Sequence, residues 1–150
     1  MEKYFYTNEQ YQDDVALLNE QLQGVENLHL VSIYRGSLGL GAHLSNVLDA
    51  PLSILKFQSY DDKNDKEVTM LHNAGISSVD KLIVLDDIYD SGNTLRKVQA
   101  YLSYNYPNTK IKYITLHGNE NTDDVLCLNK HPGCWIVYPW ETIKLIEEGK

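Results

Sequence analysis

The sequence predicts an α/β fold: a single domain, residues 1–150, built on a parallel sheet flanked by helices. Two observations carry this expectation. Residues 82–85, Leu-Ile-Val-Leu, form an unbroken apolar run, the pattern of a strand covered on both faces. That run ends at Asp86-Asp87 and passes through Ser91-Gly92-Asn93-Thr94 into a helical segment. An earlier run, Leu28 to Tyr34, enters the glycine-bearing loop Arg35-Gly36-Ser37-Leu38-Gly39-Leu40-Gly41 and then a second helix. Strand, loop and helix repeated in this order call for parallel strands with helices on both sides.

The remaining elements follow along the chain. Thr7-Asn8-Glu9-Gln10 fits a capping box, in which a Ser/Thr side chain and a Glu/Gln three residues later satisfy each other's backbone amides. After it, Val15, Leu17, Leu18 and Leu22 make a helical apolar stripe that ends near Gly24. The helix after the glycine loop extends to about Leu48, and Pro51 precedes a strand from Leu52 to Phe57. Residues 59–73 are polar and read as an irregular loop. Lys81 to Leu85 is the central strand. A helix from Thr94 to about Tyr104 stops at Asn105-Tyr106-Pro107. Ile111 to Leu116 reads as a further strand, and Cys134 to Tyr138 as a short one before Pro139. No repeat, low-complexity tract or interdomain linker interrupts the pattern.

Composition narrows the function. At 150 residues and 43% hydrophobic content the chain is long enough to bury a core, and no apolar stretch reaches the ~18 residues of a membrane span. The start, Met1-Glu2-Lys3-Tyr4-Phe5-Tyr6, lacks a basic region followed by an apolar core, so no signal peptide and a cytoplasmic location are expected. Cys127 and Cys134, the only cysteines, suit neither a zinc knuckle nor a disulfide scaffold. A formal charge of −8 disfavours nucleic acid, whose binders neutralise phosphates with Lys and Arg. An acidic protein that takes an anionic substrate needs backbone donors, Mg²⁺ and a few placed cations.

The chemistry gathers at the strand ends. Ligands of open α/β sheets sit at the carboxyl ends of strands. A loop of small residues entering a helix there offers amides and hydroxyls to a phosphate, helped by the helix dipole. Carboxylates such as Asp86 and Asp87 would repel that phosphate unless they face sugar hydroxyls or Mg²⁺. Phosphate, ribose and magnesium together point to a phosphorylated ribose.

Leu82 through Thr94 resembles the signature of the type I phosphoribosyltransferases: an apolar strand, two acidic residues, two mostly apolar residues, then Asp-Thr/Ser-Gly-x-Thr. Every position of that pattern is met. The resemblance implies that Asp86 and Asp87 hold the ribose hydroxyls, directly or through metal and water. It implies that Asp90 acts as acid or base near the reacting purine. Asp90, Ser91, Gly92, Asn93 and Thr94 would wrap the 5′-phosphate. Arg35-Gly36-Ser37 stands where the family carries an Arg-Gly-Gly-like pyrophosphate loop, often with a non-proline cis peptide just before or at its start. Ser37 replaces the second glycine, which keeps the backbone further from the ligand. Ser59-Tyr60 and the charged stretch to Glu67 resemble the family's flexible loop, which closes over substrate and excludes water.

Trp135-Ile136-Val137-Tyr138-Pro139-Trp140-Glu141 resembles the C-terminal hood of xanthine-guanine and hypoxanthine phosphoribosyltransferases. Trp135 would stack on the purine, and backbone groups around Ile136 would read its edge. Trp140 reads as core or interface, and Glu141 as a contact for metal, water or a neighbouring loop. One departure stands out. Where such enzymes carry a lysine for the 6-oxo group, this chain has His117-Gly118-Asn119-Glu120. Asn119 can donate to the oxygen, yet it also offers an acceptor to an amino-substituted purine.

The implied activity is Mg²⁺-dependent transfer of phosphoribose from phosphoribosyl pyrophosphate to a 6-oxopurine by a homodimer or homotetramer. Two alternatives start from the same residues. A non-catalytic nucleotide-binding or regulatory protein of the same fold fits Ser37 and Asn119, but has no use for Asp90. A phosphoacceptor signalling domain needs its acidic pair early in the chain and a lysine at a later strand end; here the pair follows the third expected strand.

Overall fold

The structure, a computed structural model, describes residues 2–59 and 66–143. The elements run β1 (Lys3–Phe5), α1 (Asn8–Leu22), β2 (Leu28–Tyr34), α2 (Leu38–Leu48), β3 (Leu52–Ser59), β4 (Lys66–His72), β5 (Lys81–Tyr89), α3 (Asn93–Asn105), β6 (Lys110–Gly118), β7 (Val125–Lys130) and β8 (Trp135–Val137), followed by a 3₁₀ turn at Pro139–Glu141. The main sheet has the order β4-β3-β2-β5-β6-β7. All its pairings are parallel except β3 with β4. The expected α/β architecture is therefore present, with one antiparallel edge.

Alternation along the strands builds a core on each face of the sheet. Leu30 of β2 and Ile83 and Leu85 of β5 join Leu18, Leu22, Leu40 and Leu44 of α1 and α2. Val31, Ile33, Leu82 and Val84 face the other way and meet Val98 and Leu102 of α3. Leu18, Leu44 and Leu102 are fully buried, each contributing ~1.5–3 kcal/mol by burial. The Thr7–Gln10 capping box is present at the start of α1.

Residues 66–72, expected as irregular loop, form β4 instead. Its Val68 and Met70 pack against the core on the α3 side while the strand pairs antiparallel with β3. β1 and β7 were not expected either. β1 is three residues long and pairs in parallel with β8, so that Tyr4 lies beside Ile136 across a separate two-stranded sheet. The central strand also runs past the acidic pair to Tyr89, because Ile88 and Tyr89 stay paired to His117 and Gly118 of β6.

The chain reverses its course across the sheet between β2 and β5. It runs from β2 outward to β3 and β4, then returns to β5 on the other side of β2. This is a topological switch point, where the loops after two neighbouring strands part and leave a crevice at their carboxyl ends.

Candidate active site

The loop after β2 and the end of β5 form one side of a cavity of about 970 Å³; the hood around β8 forms the other. Arg35, Gly36, Asp87, Ile88, Asp90 and Asn119 face Cys134, Trp135, Ile136, Tyr138, Trp140 and Glu141 across it. Residues more than one hundred apart in sequence thus share one wall-to-wall space.

On the sheet side the Tyr34–Arg35 peptide is cis. Gly36 then passes so close to Asp87 that a Cβ would sit 2.5 Å from its Oδ2. Ser37 departs from expectation. It is buried, its hydroxyl donates to the Leu85 carbonyl at 2.6 Å, and it receives the Ile33 amide at 2.9 Å. The hydroxyl fastens the loop to β2 and β5 and is not a pyrophosphate contact.

The acidic pair is split. Asp87 lines the cavity. Asp86 points to the opposite face, where its carboxyl accepts from the Tyr113 hydroxyl at 2.8 Å and the Asp87 amide at 2.9 Å. Burial, reinforced by the neighbouring Asp87 charge, pushes the Asp86 pKa well above the usual carboxylate range. The expectation that both side chains face the ligand site is corrected: of the pair, only Asp87 lines the cavity. Alternation explains it: Asp86 follows Leu82 and Val84 on one face, whereas Asp87 follows Ile83 and Leu85 on the other.

Asp90 lines the cavity, and the loop that follows leads into α3. Gly92 is the cap residue, with φ +82°, a conformation suited to glycine. In the first turn of α3 the Asn93 amide donates to the Ser91 hydroxyl at 3.3 Å, and the Thr94 amide that follows has no partner within the helix itself. Ser91, Gly92, Asn93 and Thr94 follow Asp90 directly and do not line the cavity. Arg96 adds a cation that the sequence reading did not single out: its Nη2 donates to Asn93 Oδ1 at 2.5 Å and approaches the Ser91 carbonyl at 3.5 Å.

On the hood side Trp135 is 59% exposed and offers its ring, while Ile136 is buried, paired with Tyr4 of β1, and also lines the cavity. Trp140 also lines the cavity, stacked on Tyr138 with centroids 4.8 Å apart and an 8° interplanar angle. It is a site residue as well as a packing one. Its Pro-Trp-acidic context was visible in the sequence, but the direction of the ring was not. Glu141 accepts from the Tyr138 amide at 3.4 Å and so closes the 3₁₀ turn. Asn119 stands at the end of β6 on the cavity wall, where a reader of the base is expected. Of the expected flexible loop, Ser59 ends β3, and Tyr60 lies outside the described residues.

A phosphoribosyl transferase domain model matches residues 7–130. The chain belongs to the phosphoribosyl transferase family. A hypoxanthine/guanine phosphoribosyltransferase of Methanopyrus kandleri is 32% identical to this family member over 74 residues. That match covers 44% of this chain and only 40% of the relative's length. The solved structure of a xanthine-guanine-hypoxanthine phosphoribosyltransferase of Helicobacter pylori superposes with a TM-score of 0.74 at 27% identity, covering 93% of this chain and 94% of the other. A purine phosphoribosyltransferase of Pyrococcus horikoshii has the same fold, with a TM-score of 0.75 at 23% identity over 99% of this chain and 100% of that one.

The donor set of this phosphoribosyltransferase-family site bears on magnesium. Among the described residues no group of three or more His, Cys, Asp or Glu is placed to hold a metal. Asp87 offers carboxylate oxygens to the cavity, and Asp86 does not. One carboxylate fits a hydrated Mg²⁺ whose other ligands are water and substrate oxygens, the usual condition of this ion. Among the described residues, no helix is long and apolar enough to cross a membrane.

Proposed function

We propose that the protein is a purine phosphoribosyltransferase, transferring phosphoribose from phosphoribosyl pyrophosphate to a 6-oxopurine (guanine, xanthine or hypoxanthine) and releasing pyrophosphate. The observation that carries this reading is the single cavity in which Arg35, Gly36, Asp87 and Asp90 at the β2 and β5 ends face Trp135 and Trp140 of the hood. Sugar-phosphate chemistry and an aromatic base shelf are therefore within one ligand's reach.

Each part has a role in that reaction. Amides at the start of α3, with Ser91, Gly92, Thr94 and the Arg96 cation beside them, receive the 5′-phosphate. Asp87 accepts from the ribose hydroxyls. The Arg35-Gly36 loop meets the pyrophosphate with a cation and exposed backbone. Asp90 accepts a proton from the purine nitrogen as it attacks the anomeric carbon, while pyrophosphate departs. Trp135 stacks on the base, Ile136 backbone reads its edge, and Asn119 addresses the 6-substituent. Mg²⁺, when bound with Asp87 as its protein ligand, supplies charge neutralisation for the pyrophosphate. Rate enhancement then rests on positioning and on negative charge arranged around a cationic ribosyl transition state.

The whole chain, 1–150, acts in this proposal as one domain in a cytoplasmic homodimer or homotetramer. The deciding experiment incubates the protein with phosphoribosyl pyrophosphate, Mg²⁺ and a panel of guanine, xanthine, hypoxanthine, adenine and orotate, and follows nucleotide formation. Turnover with the 6-oxopurines is the expected result. Turnover with orotate alone, or tight binding of phosphoribosyl pyrophosphate with no turnover on any base, refutes the proposal.

A further inference from the structure

The Tyr138 hydroxyl stands between the two halves of the cavity. The residue is 1% exposed, and its oxygen lies 3.2 Å from the Asp87 carbonyl and 2.9 Å from His117 Nδ1. A phenol carries one proton. The Asp87 carbonyl can only accept, so that proton goes to it. The Tyr138 oxygen then accepts from His117, which sets His117 as its Nδ1–H tautomer. Burial, the dominant influence on His117, favours the neutral ring that this arrangement needs.

The Tyr138 ring, in turn, backs the aromatic wall. It is stacked on Trp140, and the Tyr6 ring packs against it edge-on at 5.5 Å. One buried side chain therefore touches the wall that would take a base and holds the peptide of the carboxylate that would take a ribose. Among the described residues, no other side-chain hydrogen bond joins the hood segment 135–141 to Asp86 or Asp87.

We propose that Tyr138 is a positioning residue that couples the two subsites, so that a base and a phosphoribosyl ligand each tighten the other's binding. This rests on the functional reading above. A ligand that orders Trp140 also orders Tyr138 and the Asp87 peptide, leaving less freedom for the second ligand to remove. Because the coupling is a binding free energy, it acts equally in both directions.

The test is calorimetric titration with phosphoribosyl pyrophosphate and Mg²⁺, without and with saturating 9-deazaguanine as an unreactive base analogue. The analogue should tighten phosphoribosyl pyrophosphate binding to the wild type by at least about fivefold, the low end of ordinary coupling. In Tyr138→Phe that factor should fall to within about twofold of unity, with each ligand alone still bound. Unchanged coupling in the variant, or no coupling in the wild type, overturns the proposal while leaving the functional reading intact. Failure of the wild type to bind either ligand overturns both. A second measurement needs no variant. His117 is buried and does not line the cavity, yet its imidazole ¹⁵N resonances in the wild type should shift when 9-deazaguanine alone is added. Resonances that stay fixed overturn the coupling, whether or not Tyr138→Phe folds.

Discussion

Gly36 lies against the Asp87 carboxylate so closely that a Cβ there would fall 2.5 Å from Oδ2 and 2.9 Å from Cγ. The loop after β2 thus shapes the position of the one acidic side chain of the pair that faces the cavity. Gly36→Ala should displace Asp87 and leave the domain folded, because the clash is at a partly open rim. Overpacking of this kind costs ~1–3 kcal/mol, so phosphoribosyl pyrophosphate affinity should fall about 5- to 150-fold. Unchanged affinity in a calorimetric titration would show that Asp87 moves aside without consequence for binding.

Asp86 and Asp87 should respond differently to the same substitution. Asp86 is buried against Tyr113, and its environment favours the neutral acid, which asparagine imitates. Asp86→Asn should therefore keep ligand affinity within about threefold. Asp87→Asn removes a charged acceptor from the cavity, and hydrogen bonds to charged groups are worth ~1.5–3 kcal/mol. A loss of about 10- to 150-fold in Mg²⁺-dependent substrate binding is expected. Equal losses in the two variants would contradict the split geometry.

Asp90 is exposed on the cavity wall at the start of the loop to α3. If it takes the purine proton, Asp90→Asn should retain substrate binding and lose ~10²–10⁴-fold in kcat, the usual worth of general acid–base assistance. Steady-state kinetics with the best purine of the panel separates the two quantities. Wild-type kcat in the variant removes Asp90 from the proton path.

The parts of the fold that could be read from sequence are those whose signal is local. β5 announces itself by an unbroken apolar run, β2 by a mostly apolar one leading into a glycine loop, and α1 by its stripe and capping box. β4 hides because Val68 and Met70 alternate with polar residues behind a charged stretch; its pairing to β3 supplies what the local pattern lacks. β1 hides because its partner is residues 135–137. At the site, the period of two through Leu82, Val84 and Asp86 already contained the inward direction of Asp86. The Ser37 hydroxyl is different: its bond to Leu85 spans 48 residues, and no local pattern encodes it.

Trp135 and Asn119 should divide base affinity from base choice. Stacking is indifferent to the 6-substituent, so Trp135→Ala should weaken all purines by a similar ~1–3 kcal/mol. Asn119 both donates and accepts, whereas a lysine only donates. Asn119→Lys should therefore raise the ratio of kcat/KM for hypoxanthine or guanine over adenine, since it leaves a 6-amino group without an acceptor. A ratio changed by Trp135→Ala and untouched by Asn119→Lys would place base recognition elsewhere on the wall.

At the opposite end of the sheet, His29 is buried with Nδ1 3.2 Å from Asp80 and Nε2 2.8 Å from Ser53, whose hydroxyl also receives the Ala74 amide at 3.0 Å. Burial lowers the His29 pKa, and the nearby Asp80 charge offsets only part of that. His117 shifts the same way, again chiefly through burial. In the unfolded chain a histidine takes up its proton near pH ~6.5. The native state resists protonation until a lower pH, so unfolding binds protons in between. The stability these residues contribute is complete above pH ~6.5 and declines as pH falls from there through their lowered native pKa values. Urea unfolding midpoints between pH 8 and pH 5 measure the decline. His29→Gln should lower stability at every pH by ~1–3 kcal/mol, because Asp80 and Ser53 lose their partner, and it should also flatten the acid slope. An acid slope identical to the wild type would show that His29 is protonated as readily folded as unfolded.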